Sequence, residues 1–198
     1  MKIQEEVWDK IAEEWDEFKK IPAQTTKDFL KNASGKILDL GSGSGRNLHK
    51  IKKGKMYLVD FSSEMLKFAE KRAKKLEIKI ETKQGDLVKI PYENNFFDYI
   101  ICISALHCLK PAEHKKAVEE IYRVLKKGGK ALVGVWNFKS KRFNQKQGKE
   151  KMIKWTDKGE RYYYLFDEDE VHGLFEKIGF KIIEEKNSKM MINFVVEK

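Results

Sequence analysis

The stretch Ile37-Leu38-Asp39-Leu40-Gly41-Ser42-Gly43-Ser44-Gly45 limits the fold of this 198-residue chain more than any other. Its apolar run is too short for a helix and stops at three glycines in alternate positions. Such a run reads as a strand covered on both faces, the kind found in parallel sheets between helix layers. The same unit recurs downstream. Runs at 55–60, 78–83, 99–103 and 130–136 read as further strands, and 180–186 with 190–196 as a closing antiparallel pair. Between them, Met65, Phe68, Ala69, Arg72, Ala73 and Leu76 form a helical stripe that Ser62 can cap. Helices are also expected at 113–126, ahead of Gly128-Gly129, at 167–178, ahead of Gly179, and from about 45, after the glycines. Upstream, Val7, Trp8, Ile11, Ala12, Trp15 and Phe18 predict an amphipathic helix over 4–19, followed by a short one over 25–32. The expected fold is α/β: a seven-stranded, mostly parallel, doubly wound sheet with helices on both faces and a C-terminal antiparallel hairpin. Residues 1–198 read as one domain, with 1–33 as a helical cap and 138–160 as an insertion. Residues 139–154 carry seven Lys/Arg against one acid and read as a mobile loop.

Charge narrows the partners. Lys plus Arg total 41 against 31 acids, a net +10 that favours an acidic partner such as RNA. The two cysteines, Cys102 and Cys108, form no metal or disulfide motif, and no metal site is expected. The N-terminus is not a signal peptide and no apolar run can span a bilayer, so a cytoplasmic location and no membrane partner are expected. His49, His114 and His172 read as solvated helix residues.

The glycines do not follow the G-x-G-x-x-G spacing of a pyrophosphate loop. They still place bare backbone at the carboxyl edge of a strand, where a ligand can lie on the main chain. Asp39 would repel a phosphate there and suits a ligand carrying an ammonium group and a carboxylate. Asp60 closes the next strand and can accept both hydroxyls of a ribose, with Phe61 as a wall for an adenine. Asp86 follows the third strand and can accept from an exocyclic amine, while Leu87 offers backbone N–H. Three acids at three successive strand ends point to one nucleoside-like ligand.

The pattern "LDLGSGSGRN … VDFSSEML … GDLVKIPYENNFFDYIICISALHCL … IYRVLKKGGKALVGVW" resembles the class I S-adenosylmethionine-dependent methyltransferases over residues 36–136. The resemblance implies a Rossmann-like class I fold, S-adenosylmethionine as cofactor and S-adenosylhomocysteine as product. It assigns Asp39, Gly41, Ser42, Gly43 and Gly45 to the methionine end. Asp60 goes to the ribose, Phe61 and Met65 to the adenine faces, Asp86 and Leu87 to its edge, and Ile103 and Ser104 to the vicinity of the sulfonium.

The flanks "VWDKIAEEWDEFKKIP", "GVW" and "KWTDKGERYYYLFDEDEVHGLFEKIGF" are similar to the tRNA wobble-uridine carboxymethyl methyltransferases. That likeness implies esterification of 5-carboxymethyluridine in tRNA, a small zinc-binding activator subunit as a possible partner, and no role for DNA. It carries over His107, Trp136, Trp155, Arg161 and Tyr162. The chain departs from that family at Leu106, Ser42 and Ser44, where a His, a Cys and an Asn are usual. Arg161, His107 and Tyr162 are the expected catalytic residues, with Arg161 clamping the acceptor carboxylate. Trp136, Trp155, Arg161 and Tyr162 are expected to bind substrate, Trp155 by stacking on the uracil. His107 would act as a base if the acceptor were a hydroxyl or amine, or would orient the loop without moving a proton. A small-molecule O- or N-methyltransferase with the same cofactor site is the alternative. Lysines in 139–154, with Lys19 and Lys20, could meet tRNA phosphates. The strand at 78–83 is expected at a sheet edge, where an activator could add a strand.

Overall fold

A computed structural model describes residues 2–18 and 20–198, without the side chains of residues 2 and 3; Lys19 lies outside this description. The chain runs α1 (Lys2–Lys10), α2 (Ala12–Phe18), α3 (Gln24–Leu30), β1 (Gly35–Leu40), β2 (Gly54–Asp60), α4 (Ser63–Lys75), β3 (Ile80–Gln84) and β4 (Phe97–Ile103). It continues through α5 (Pro111–Val124), β5 (Leu125–Trp136), β6 (Glu150–Lys154), β7 (Glu160–Tyr164), α6 (Glu168–Glu176), β8 (Lys181–Glu185) and β9 (Met191–Glu197). Seven strands form one sheet in the order β3-β2-β1-β4-β5-β9-β8. β1 to β5 are parallel, and β9 runs antiparallel to both β5 and β8. The expected seven-stranded sheet with a C-terminal hairpin is therefore present.

Alternation along the strands explains the two helix layers. Leu38, Leu40, Ile100, Cys102, Ala131 and Val133 join one core with Val118 and Ile121 of α5 and Phe175 of α6. Their neighbours Ile37, Leu58, Ile101, Ile103 and Leu132 join a second core with Leu30 of α3 and Leu66, Ala69 and Ala73 of α4. Successive residues point to opposite faces, so a continuous apolar run serves both layers. The chain order reverses between β1 and β4, which leaves a crevice at their carboxyl ends. A third cluster sits above that rim. It joins Trp8, Ile11 and Ala12 from the N-terminal helices to Met65 and Tyr163, with Trp15, Trp136 and Trp155 packed against it.

Several expectations are corrected. The helix expected from about 45 is absent, and turns occupy 43–47. Gly45 has a φ of +77° and a Cβ there would meet Ala69 at 3.0 Å, while Asn47 is tied back to Asp39. Too little chain remains before β2 to build a helix. The helix over 4–19 divides at Ile11, although Ile11 N–H still bonds Val7 and Trp15 N–H bonds Ile11, so it bends rather than ends. The expected mobile loop holds a strand: β6 pairs antiparallel with β7, Met152 opposite Tyr162. The strand at 130–136 begins earlier, because Leu125 pairs with Phe97 before the Gly128-Gly129 turn. His114 is buried and donates from Nε2 to the Leu109 carbonyl at 3.0 Å, and the His172 side chain is only 13% exposed. Neither is solvated. The edge strand is at 80–84.

Candidate active site

The rim between β1 and β4 is so narrow that Gly41 admits no side chain. A Cβ there would meet the Ala105 Cβ at 2.3 Å, and its φ is +68°. The glycine loop is anchored from the neighbouring strand end. Asp60 Oδ2 accepts the Gly43 N–H at 2.8 Å, and its Oδ1 accepts the Ser62 N–H at 3.0 Å. Burial nevertheless pushes its carboxyl up to about 6, against the pull of these two bonds. Buried Ser62 caps α4, its Oγ accepting the Met65 N–H.

Asp39 is 1% exposed. Its Oδ1 accepts from Asn47 Nδ2 at 3.3 Å, and burial pushes the carboxyl up to about 7. Asp39 Oδ2, Asn47 Oδ1, Ser42 Oγ and Ser44 Oγ are all buried without a hydrogen-bond partner. Four unpartnered polar atoms around one loop are costly unless a polar ligand completes them. The acceptors on Asp39 and Asn47 suit an ammonium group, and the serine hydroxyls suit a carboxylate.

A cavity of about 430 Å³ opens from this loop. Of the residues singled out in the sequence, Gly41, Ser42, Gly43, Asp60, Phe61, Met65, Asp86, Leu87, Ile103, Ser104 and Tyr162 line it. Asp39 and Gly45 are not in the lining. Asp39 is bonded to Asn47, which does line the cavity, and Gly45 packs against Ala69, 3.0 Å from where a Cβ would lie. Asp86 Oδ1 accepts the Val88 N–H at 3.0 Å. Ser104 holds a left-handed φ of 62°, strained for a residue with a side chain and fixed by its N–H bond to Gly134.

The sequence did not single out Gln4, Trp8 and Trp15 of the first two helices, nor Arg46, Asn47, Cys108, Leu109, Lys110, Ala112 and Glu113, as cavity residues. The tryptophans were legible only as the apolar side of an amphipathic helix. Gln4 spans two partners on β7: its amide donates to the Glu160 carbonyl at 3.1 Å and accepts the Tyr162 N–H at 2.9 Å. It thereby holds α1 over the cavity. Burial pushes both cysteine thiols up, Cys102 to about 12, so neither is a ready nucleophile.

His107, Trp136, Arg161 and Trp155 lie outside the cavity lining, and the first three meet at Tyr163. His107 is fully buried, and its Nδ1 accepts the Trp136 N–H at 3.0 Å. Nδ1 is therefore the unprotonated nitrogen and Nε2 carries the hydrogen, which finds no partner. Burial pulls His107 down to about 3. Its ring lies 4.9 Å from Trp136 and 5.5 Å from Tyr163. Arg161 is 5% exposed, donates to the Tyr163 hydroxyl at 2.8 Å, and leaves its buried Nε without a partner. Its guanidinium carbon lies 4.7 Å from Trp155 and 5.4 Å from Trp8. It makes no ion pair with a carboxylate among the described residues. Trp155 packs on Trp15 at 5.7 Å and donates from Nε1 to Glu14. Tyr162 reaches the cavity, with its hydroxyl donating to Glu150 at 2.7 Å.

Residues 37–129 match a methyltransferase domain family. An uncharacterized protein of Methanocaldococcus jannaschii is 32% identical over 90% of this chain and 82% of its own length. A tRNA (carboxymethyluridine(34)-5-O)-methyltransferase of Schizosaccharomyces pombe is 27% identical over 90% of this chain and 89% of its own. The crystal structure of a SAM-dependent methyltransferase from Methanosarcina mazei superposes with a TM-score of 0.73 at 20% identity, covering 90% of this chain and 98% of that one. The unpartnered atoms around the glycine loop fit the ammonium and carboxylate of the amino-acid end of S-adenosylmethionine.

Proposed function

The chain belongs to the class I S-adenosylmethionine-dependent methyltransferases, and we propose that it esterifies the carboxylate of 5-carboxymethyluridine at the wobble position of tRNA. The observation that carries this reading is the state of two residues that meet Tyr163, Arg161 and His107. One is a buried cation lacking an acidic partner among the described residues, and the other is a histidine unable to serve as a base.

S-adenosylmethionine supplies the methyl group on a positively charged sulfur. The acceptor decides what the protein must add. A hydroxyl or amine acceptor calls for a base. His107 has its only lone-pair nitrogen bonded to the Trp136 N–H, which removes it from that work. A carboxylate has an ordinary pKa of about 4 and arrives ionised, so no proton has to move. It needs orientation and charge compensation instead. Arg161 would offer a guanidinium N–H to one carboxylate oxygen and leave the other available as the methyl acceptor. The His107 Nε2–H is a further donor close to the same Tyr163. Arg161 lies one side chain behind the cavity, so on this reading Trp8 or Tyr162 shifts as the acceptor seats. The likeness to the S. pombe tRNA enzyme supports the choice of acceptor.

β3 forms the outer edge of the sheet, and on this reading it can accept a strand from a small zinc-binding activator. Full activity of a monomer in size-exclusion chromatography would remove that partner. The acceptor is tested by mass spectrometry of tRNA nucleosides after incubation with enzyme and cofactor. The expected product is the methyl ester of 5-carboxymethyluridine. In the same assay, Arg161→Ala should lower kcat/KM about 10- to 100-fold while S-adenosylhomocysteine affinity holds. Undiminished transfer would rule out the clamp.

A further inference from the structure

The segment between β5 and β6 carries an ordered basic surface that the cofactor site does not use. Turns fix it: the Lys139 N–H bonds Asn137 Oδ1, and the Arg142 N–H bonds Oγ of buried Ser140. These turns hold Arg142 against rings. Its guanidinium carbon lies 5.0 Å from the Trp136 ring centroid and 5.6 Å from that of Phe143. The rings continue inward, Phe143 to Trp136 at 5.1 Å and Trp136 stacked on Tyr163 at 4.3 Å, which bonds Arg161.

Lys139, Lys141, Arg142 and Lys146 are exposed and make no ion pair among the described residues. Nearby Lys149 differs, being held by Asp167 at 2.6 Å and Glu170 at 2.8 Å. An arginine kept only for solubility has no reason to lie on two aromatic rings. A flat cation backed by rings and flanked by free ammonium groups matches an unstacked base with its adjoining phosphates. A duplex keeps its bases inside and offers only phosphates.

We propose that Arg142, backed by Trp136 and Phe143, is a shelf on which a base adjoining the acceptor nucleotide stacks, while Lys139, Lys141 and Lys146 take the flanking phosphates of a single-stranded RNA loop. The proposal rests on the tRNA reading above and specifies its surface.

The test is fluorescence anisotropy of the full chain with a single-stranded anticodon-loop RNA and with duplex DNA of equal length, at several salt concentrations. Arg142→Lys with Phe143→Leu keeps charge and bulk but removes both planes. It should weaken RNA binding about tenfold, with little change for duplex DNA. Replacing Lys139, Lys141 and Lys146 with Ala should lower the slope of log affinity against log salt by about 2. Unchanged S-adenosylhomocysteine affinity certifies that the variants are folded. Wild-type RNA affinity in the Arg142/Phe143 variant, or an equal loss on duplex DNA, overturns the shelf. Nucleoside mass spectrometry separates the two ideas. Esterification untouched in the shelf variant defeats the shelf alone. RNA binding that depends on the shelf, without esterification of 5-carboxymethyluridine by the wild type, supports the shelf and defeats the wobble reading.

Discussion

Asp39→Asn should make the cofactor-free protein more stable and the cofactor bind worse. Burial raises the Asp39 carboxyl from an ordinary 3.8 to about 7. The sign follows from proton binding. The folded chain holds a proton at Asp39 between about pH 4 and 7 that the unfolded chain has released, so the group favours folding most below pH 4. That advantage is lost as pH rises to about 7. At pH 8 the ionised carboxylate therefore costs at most about 4 kcal/mol, which the amide avoids while keeping the Asn47 contact on its oxygen. The variant's melting temperature at pH 8 should rise by several degrees. If only the ionised carboxylate accepts the cofactor's ammonium group, wild-type affinity for S-adenosylhomocysteine should fall about tenfold between pH 8 and pH 6. Calorimetry at pH 6, 7 and 8 reads that fall, and the variant should bind weakly with a flatter profile. Equal affinity for wild type and variant, or an unraised melting temperature, would refute the reasoning.

Other perturbations probe neighbouring parts of the site. Because His107 stays neutral down to about pH 3, kcat/KM should show no histidine limb between pH 5.5 and 8; a limb near 6.5 that disappears in His107→Gln would restore it as a base. Gly41→Ala must drive a Cβ into Ala105 and should destabilise the protein by about 1–3 kcal/mol, read by thermal melting, and abolish cofactor binding. Asp60→Ala removes the acceptor of two loop N–H groups and should weaken S-adenosylhomocysteine binding in calorimetry more than tenfold.

Legibility in the sequence followed the range of the interactions. β1, β2 and β4 were readable because strands buried on both faces need unbroken apolar runs, and α4 because Ser62 and its stripe are local signals. The acids at 39, 60 and 86 were readable because strand ends at one sheet edge converge. The missing helix after Gly45 was not, since the limit there is the span left before β2. β6 was hidden by its charge, as its exposed face carries Glu150, Met152 and Lys154. The burial of His107 and Arg161 depends on Trp136, Tyr163 and Trp155 arriving from distant segments, and no spacing rule encodes that meeting.

The Gln4 amide has a wider consequence. It bonds β7 as a neighbouring strand would, and so fastens the roof of the cavity to the outer hairpin. The roof cannot lift without uncovering the Tyr162 N–H. Deuterium uptake at that single backbone amide therefore becomes a clock for how often the enclosure opens, and loading the nucleoside should slow its ticking.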